Sequence, residues 1–376
     1  MRIYFLLFVF IYLATGCNNE QNKAVILEEA RHELTLLPDS GLHIYSCLCT
    51  VERNGQSYIA LYDSGKQREL FFELNGKQYS AITLNLPDTL KNQGSSPFIK
   101  PLGTDSLLAL WPNGKMIFLF NSAGKIIKQF TATVPLKDKQ ENYSLVAMNQ
   151  SPLITDGKNL FVTCTRLDVI VRTADARKIY FRTPPDIRFS MENEEQENTG
   201  IWPGEYKSGM SFRDFYPQRC VNGKGEIVYG FSASDSIFVM KDNKFVAAYN
   251  CKSRFMTMRH SYPDDSIGHF SFLQRYDIEE PGYVGLVYDA YRNYYYRIVS
   301  QSIPFEKPGG MIVNTSFDKP WSLLVMDENF IILNEIMMDN TRFLPMVLPV
   351  KEGLLLKKIQ QTNSIPPVKF ALFKFK

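Results

Sequence analysis

Histidine is scarce in this chain, four in 376 residues, so two that lie close together stand out. His260 and His269 sit nine apart around Pro263-Asp264-Asp265 and flank a loop. With Asp264 or Asp265 they could ligate a metal ion, because imidazole and carboxylate groups suit such ions. The spacing matches no defined ligand pattern, and the competing reading is a solvated loop. A second stretch, residues 200–220 (GIWPGEYKSGMSFRDFYPQRC), combines Trp202, Tyr206, Phe212, Phe215 and Tyr216 with Arg213, Asp214 and Arg219. Aromatic rings with arginine are what a protein or glycan contact uses. Trp202, Tyr206, Arg213, Phe215 and Tyr216 are therefore candidate binding residues; the alternative is that the rings pack under their own loop. No Gly-x-Ser-x-Gly, His-Glu-x-x-His or phosphate-cradling Gly-rich motif occurs. Asp39-Ser40-Gly41 and Asp63-Ser64-Gly65 read as turns, and no carboxylate pair is singled out by an apolar setting. No catalytic residue is assigned, and the balance favours a protein that is not an enzyme.

The start of the chain sets where such groups would act. Met1-Arg2 is basic, residues 3–13 (IYFLLFVFIYL) are apolar, and Ala14-Thr15-Gly16 are small. This order is that of a secretory signal. The apolar run is too short to cross a bilayer, which takes about 20 residues. Cys17 follows at once, and the stretch resembles the lipobox of bacterial lipoproteins, in which that cysteine becomes the lipid-modified first residue. Ala14 departs from the pattern, which usually has Leu there. The expectation is a signal peptide over 1–16, a polar lipid-anchored tether over 17–24 and a single domain over 25–376. Export without a second long apolar run places the protein at the cell envelope; Asn18-Asn19-Glu20 is compatible with the outer membrane, on its periplasmic or surface face.

The remaining 360 residues can bury a large core. The net charge is +3 and no basic patch stands out, which argues against nucleic acid. Besides Cys17 there are Cys47, Cys49, Cys164, Cys220 and Cys251, an odd number that cannot pair fully. Cys47 and Cys49 fall two apart on an expected strand and share a face, as small core residues. The fold should not depend on disulfides.

From residue 42 onward, short runs rich in Val, Ile, Leu, Phe and Tyr alternate with Gly, Asn, Asp and Pro. Asn54-Gly55, Asn75-Gly76 and Asn113-Gly114 each separate two such runs, a strong hairpin signal because both residues tolerate positive φ. No convincing amphipathic helix of ten residues is apparent after residue 40, and residues 25–37 read as an edge strand. The chain is all-β. Similar strands begin near Tyr58, Leu107, Leu160, Ile227, Tyr283 and Ser322, with gaps of 49, 53, 67, 56 and 39 residues. That irregular period suits a six-bladed β-propeller of antiparallel four-stranded blades; tandem β-sandwiches are the alternative. The terminal KFALFKFK could pair with the first blade and close the ring. The acidic run Glu192-Asn193-Glu194-Glu195-Gln196-Glu197 reads as a solvated insertion. Within YDAYRNYYYR, alternation puts Tyr294 and Tyr296 on one face and Tyr295 and Arg297 on the other, with Asp289 a natural partner for Arg292 or Arg297.

Three stretches carry a family likeness: FSASDSIFVMKDNK (231–244), YVGLVYDAYRNYYYRIV (283–299) and KPWSLLVMDENFIILNE (319–335). With the lipobox they resemble a family of Bacteroidota-type lipoproteins that carry a domain of unknown function and are similar to six-bladed β-propellers. The resemblance implies fold and compartment; it implies no activity and no catalytic residues. The tripeptides Asp88-Thr89-Leu90, Asp105-Ser106-Leu107, Asp235-Ser236-Ile237 and Asp265-Ser266-Ile267 resemble the O-glycosylation acceptor of exported proteins in such bacteria. Thr89, Ser106, Ser236 and Ser266 are thus candidate acceptors. The leading expectation is a lipid-anchored envelope propeller that binds or scaffolds an envelope protein, peptide or glycan, without a cofactor. The alternative is a propeller hydrolase or lactonase with a divalent cation, such as Ca2+, in the central channel.

Overall fold

A computed structural model describes residues 25–37, 45–91, 95–112, 114–133, 143–166, 173–193, 195–266, 269–310, 312–359 and 367–376. Cys17, His43 and Ile267 lie outside the described residues, as does the side chain of Cys47.

The strands fall into six antiparallel sheets, each ordered by sequence from its first strand outward. The first edge strand, β1, is Leu27–Leu36. Blade 1 holds β2 (Tyr45–Arg53), β3 (Gln56–Asp63), β4 (Arg68–Glu73) and β5 (Gln78–Thr83). Blade 2 holds β6 (Phe98–Pro101), β7 (Ser106–Leu110), β8 (Met116–Asn121) and β9 (Ile126–Thr131). Blade 3 holds β10 (Tyr143–Val146), the short β11 (Ile154–Thr155), β12 (Asn159–Arg166), β13 (Asp186–Ser190) and β14 (Gln196–Thr199). Blade 4 holds β15 (Gln218–Val221), β16 (Ile227–Phe231), β17 (Ser234–Lys241) and β18 (Lys244–Asn250). Blade 5 holds β19 (Gly282–Asp289), β20 (Tyr294–Ser300), β21 (Trp321–Met326) and β22 (Ile332–Met338). Blade 6 holds β23 (Phe343–Val350), β24 (Gly353–Lys358) and β25 (Val368–Phe375), completed by β1 on the outside of β25. The first strands of successive blades approach one another around the axis, for example β15 with β19 and β19 with β23. This is the expected six-bladed propeller.

The second and third strands are buried on both faces, as in β21, where every residue from Trp321 to Met326 is inaccessible. Each blade therefore packs apolar side chains against both neighbours, which accounts for the continuous apolar runs. Tyr296, Trp321, Leu323 and Val325 face blade 6, whereas Tyr295, Val299 and Leu324 face blade 4. The outermost strands carry the exposed residues, β18 above all. Four of them, in blades 1, 2, 4 and 5, share one irregularity: an extra residue opposite the third strand, at Tyr79, Ile127, Val246 and Leu333. Bulges of this kind twist an edge and discourage pairing with another chain.

Three expectations change. Tyr58, Leu107, Leu160 and Ile227 do mark the second strands of blades 1 to 4, but Tyr283 and Ser322 both fall in blade 5. The 20-residue connection 301–320 splits that blade, so one sheet looked like two repeats while blade 6 went unmarked. Ring closure also runs the other way. The C-terminal strand β25 stays in its own blade, and the N-terminal strand β1 joins it, Leu27 opposite Phe375 and Leu36 opposite Val368. The acidic run is not an insertion: residues 191–193 turn out of β13, and Gln196-Glu197 begin β14. Besides strands, the described residues form four short α-helices: α1 (Asp88–Lys91), α2 (Ala174–Tyr180), α3 (Gly204–Lys207) and α4 (Phe270–Glu279). In the ten-residue α4 only Tyr276 and Ile278 are buried, so its sequence carries little apolar periodicity.

Antiparallel strands reverse direction at each step, so connections alternate between the two faces of the disc. On one face they are two to five residues long, apart from 147–158, which carries β11. On the other face, four connections of 18 to 31 residues cover blades 3 to 5: 167–185, 200–217, 251–281 and 301–320.

Candidate functional site: a cross-linked cap and a clamp beneath it

The four long connections form a cap, and their described parts are tied to one another. Helix α2 starts where Thr173 accepts a hydrogen bond from the Ala176 N–H, and it ends on Tyr180 and Phe181. Those rings pack against Trp202, whose indole N–H donates to the Thr183 carbonyl at 2.7 Å. Tyr206 of α3 is fully buried between Phe181, Phe212 and Phe231, and burial pushes its hydroxyl up to about 12. Trp202 and Tyr206 are therefore core residues, which removes the exposure a binding role requires of them. Arg213 is exposed, while Phe215 and Tyr216 are half-buried.

Polar bonds join the connections. Arg177, nearly inaccessible, donates through Nε to the Gly209 carbonyl at 2.6 Å and through Nη2 to Asp264 at 2.5 Å. Gly209 has φ +90°, and a Cβ there would lie 2.9 Å from the Ala174 carbonyl oxygen, so only glycine fits. Arg213 donates to the Leu273 carbonyl at 3.1 Å and pairs with Asp277 of α4. Tyr262 N–H donates to the Ser211 carbonyl at 2.7 Å. Arg259 donates to the Tyr276 hydroxyl at 3.4 Å and lies 3.7 Å from Asp214. Lys319, buried at the end of connection 301–320, donates to the carbonyls of Asp277 and Glu280, both at 2.7 Å. Burial holds its amine down at about 8 and pushes the Asp277 carboxyl up. The opposed shifts mark a desolvated seam between α4 and its neighbours.

The candidate metal residues all lie in this cap but do not converge. His260 meets Glu280, with Nδ1 2.9 Å from Oε1, and Asp264 meets Arg177. Asp265 and His269 are exposed, the latter preceding α4. Among the described residues no three His, Cys, Asp or Glu side chains gather in a metal-binding group. Sequence reasoning missed Arg177, Arg259, Asp277 and Lys319, since their partners are mostly backbone carbonyls or residues far away in the chain. Of the candidate glycosylation residues, Thr89 is exposed on α1, whereas Ser106, Ser236 and Ser266 are half-buried. The cap's outer surface instead exposes apolar side chains: Met258 and Phe270 are 77% and 70% exposed, Phe317 66% and Ile312 64%. A cavity of about 310 Å³ lies elsewhere, on the rim of blade 6, lined by Glu29, Arg31, His32, Glu33 and Lys358.

On the opposite face the Tyr-Asp-x-Tyr-Arg-Asn stretch is a clamp. Asp289, inaccessible to solvent, accepts hydrogen bonds from the Tyr291 N–H at 2.9 Å and from Arg292 Nη1 and the Tyr296 hydroxyl at 2.7 Å each. Arg292 donates onward to the Val350 and Lys351 carbonyls of blade 6 at 3.1 and 2.9 Å. The Tyr291 hydroxyl reaches Ser57 of blade 1 at 2.7 Å and pairs with Glu52. Asn293 takes φ +55° to close the turn and accepts from the Tyr288 hydroxyl at 2.8 Å. Blades 5, 6 and 1 are thus fastened together beside the closure. Asp289 partners Arg292 as expected, but Arg297 points the other way. It lies over the Tyr283 ring and donates to carbonyls of Phe231, Ser234, Asp235 and Cys251 in and after blade 4.

This architecture is found in other proteins. The chain is similar to a crystal structure of a DUF4221 family member from Bacteroides vulgatus, with a TM-score of 0.76 and 20% identity over 94% of this chain and 99% of that one. It is also similar in fold to a Bacteroides fragilis protein named as exported, with a TM-score of 0.52 and 10% identity over 94% of this chain and 96% of that one. No curated protein matches it in sequence. The family profile for a domain of unknown function, DUF4221, matches residues 95–337, which span most of blades 2 to 5 together with the cap and the clamp. The chain belongs to the DUF4221 family.

Proposed function

We propose that the protein is a lipid-anchored module of the cell envelope that binds or scaffolds an envelope partner through its cap. The observation that carries this reading is the asymmetry of the disc. One face has tight turns, and the other has four long, mutually bonded connections that expose Met258, Phe270, Ile312 and Phe317. Long connections on a rigid scaffold are where recognition is commonly built, and the large apolar side chains exposed on them suit a protein partner. The basic, apolar and small-residue order before Cys17 supports export and lipidation. The export named for the Bacteroides fragilis relative fits that compartment.

A photo-crosslinking residue at Phe270 or Phe317, in intact cells, should give one discrete cross-linked species. The same residue at Asn75 or Asn243, in the tight turns, should not give that species. Equal products from both faces, or none from the cap, would remove the reading. Cys17→Ser should move the protein out of the membrane fraction.

A further inference from the structure

The face that carries the tight turns has a second feature. At its rim, where the outermost strand of each blade begins, five of six blades expose an apolar side chain: Ile26 beside β1, Tyr79 in β5, Ile127 in β9, Phe245 and Val246 in β18, and Ile331 before β22. Three of these, Tyr79, Ile127 and Val246, are the extra residues of the repeated bulge. A bulge residue has no directly opposite partner on the next strand; Tyr79 still packs its ring on Tyr58 of its own blade, 4.6 Å between centroids, whereas Ile127 and Val246 are more than half exposed. Only blade 3 departs, with Glu192 and Glu195 in its turn.

The tether leaves from the same rim. The Lys376 N–H donates to the Ile26 carbonyl, and Leu27 lies opposite Phe375, at the end of blade 6 where the 351–352 turn also sits. Eight Cα steps separate Cys17 from Val25, at most about 29 Å when fully extended. A strand the length of β25 is about 24 Å tall, and a helical cap layer adds about 10 Å. A lipid at Cys17 therefore cannot reach a bilayer lying on the cap unless the tether is stretched past its limit.

We propose that the tight-turn face is a membrane-contact surface, with its apolar rim seated in the headgroup region of the bilayer that holds the anchor and the cap turned away from it. Apolar and tyrosine side chains on a surface held at a bilayer partition into that interface. The proposal rests on the anchored reading above.

To test it, a lipid thioester is ligated to Cys17 as the N-terminal residue of the mature chain, so that failure of lipidation in cells cannot mask the geometry. The product is placed on phosphatidylethanolamine–phosphatidylglycerol vesicles containing an acceptor-labelled lipid. A donor fluorophore at Asn243 should be quenched several-fold more than one at Phe317. Ile127→Asp with Val246→Asp, both on exposed positions, should cut that difference at least twofold while leaving the melting temperature in place. Stronger quenching at Phe317, equal quenching at both sites, or no response to the aspartates would overturn the proposal.

Discussion

Replacing Asp289 by alanine strikes the clamp at its centre. The carboxylate accepts three hydrogen bonds, one each from the Tyr291 N–H, Arg292 and Tyr296, and none of it is exposed. Hydrogen bonds to a charged group contribute about 1.5–3 kcal/mol each, and the truncation also leaves the buried Tyr296 hydroxyl without its acceptor. Arg292 keeps its two carbonyl partners in blade 6, which limits the damage on that side. The expected loss is about 4 kcal/mol, within the range of about 3–5 kcal/mol for breaking a buried ion pair. Tyr291→Phe removes only the hydroxyl contacts at the blade 1 end and should cost about 1 kcal/mol. Urea unfolding followed by tryptophan fluorescence and by circular dichroism would measure both variants. A lower midpoint at constant slope means a weaker but intact ring, whereas a smaller slope would mean that blade 6 has already opened in the native state. In a double-mutant cycle, Asp289→Ala and Arg292→Ala should be coupled by at least about 1 kcal/mol. A loss below about 1 kcal/mol for Asp289→Ala, or strict additivity with Arg292→Ala, would refute the clamp.

Glu69 is fully buried between blades 1 and 2, neither carboxylate oxygen has a hydrogen-bond partner among the described residues, and burial pushes its carboxyl well above the usual range. Its contribution to stability should be complete below the unfolded value of about 4.3 and be lost as pH rises toward the folded value, at up to about 1.4 kcal/mol per pH unit; Glu69→Gln should flatten that slope in pH-dependent unfolding. Arg297→Lys should cost nearly as much as Arg297→Met, because an ammonium cannot serve four separate carbonyls; equal stability of Arg297→Lys and wild type would count against this bonding. Hydrogen bonds from Lys358 and Lys369 hold Glu33 down at about 2, so the stability it adds is present above about pH 4.3 and fades as pH falls toward 2. Glu33 is partly exposed, so Glu33→Gln should cost less than about 1 kcal/mol at pH 7, and progressively less in thermal melts as pH falls through 2.

The strands were legible because a blade hides both faces of its middle strands and so writes unbroken apolar runs, as at Trp321–Met326. Asn54-Gly55 was legible because both residues take positive φ, +52° and +74°. Blade 6 escaped because its partner strands lie at opposite ends of the chain, a relation no local pattern records. The aromatic segment 200–220 stands out in composition, yet the same composition serves a buried cluster as well as a contact surface, and Trp202 went to the first. The cap's bonds escaped for a related reason: a guanidinium or ammonium seeking carbonyls, as Arg177 and Lys319 do, leaves no complementary residue type to find.

Strand β1 also settles how the molecule answers mechanical force. A pull applied at residue 25 acts along the axis of β1, at right angles to its hydrogen bonds with β25. The ladder is then loaded in shear, so its bonds must fail together rather than peel open in turn. Glu28, Glu29 and Glu33 add ion pairs to Lys376, Arg342, Lys358 and Lys369 along the same seam. A chain held at its N-terminus would in this way transmit tension into the disc at the one blade that both ends of the sequence build.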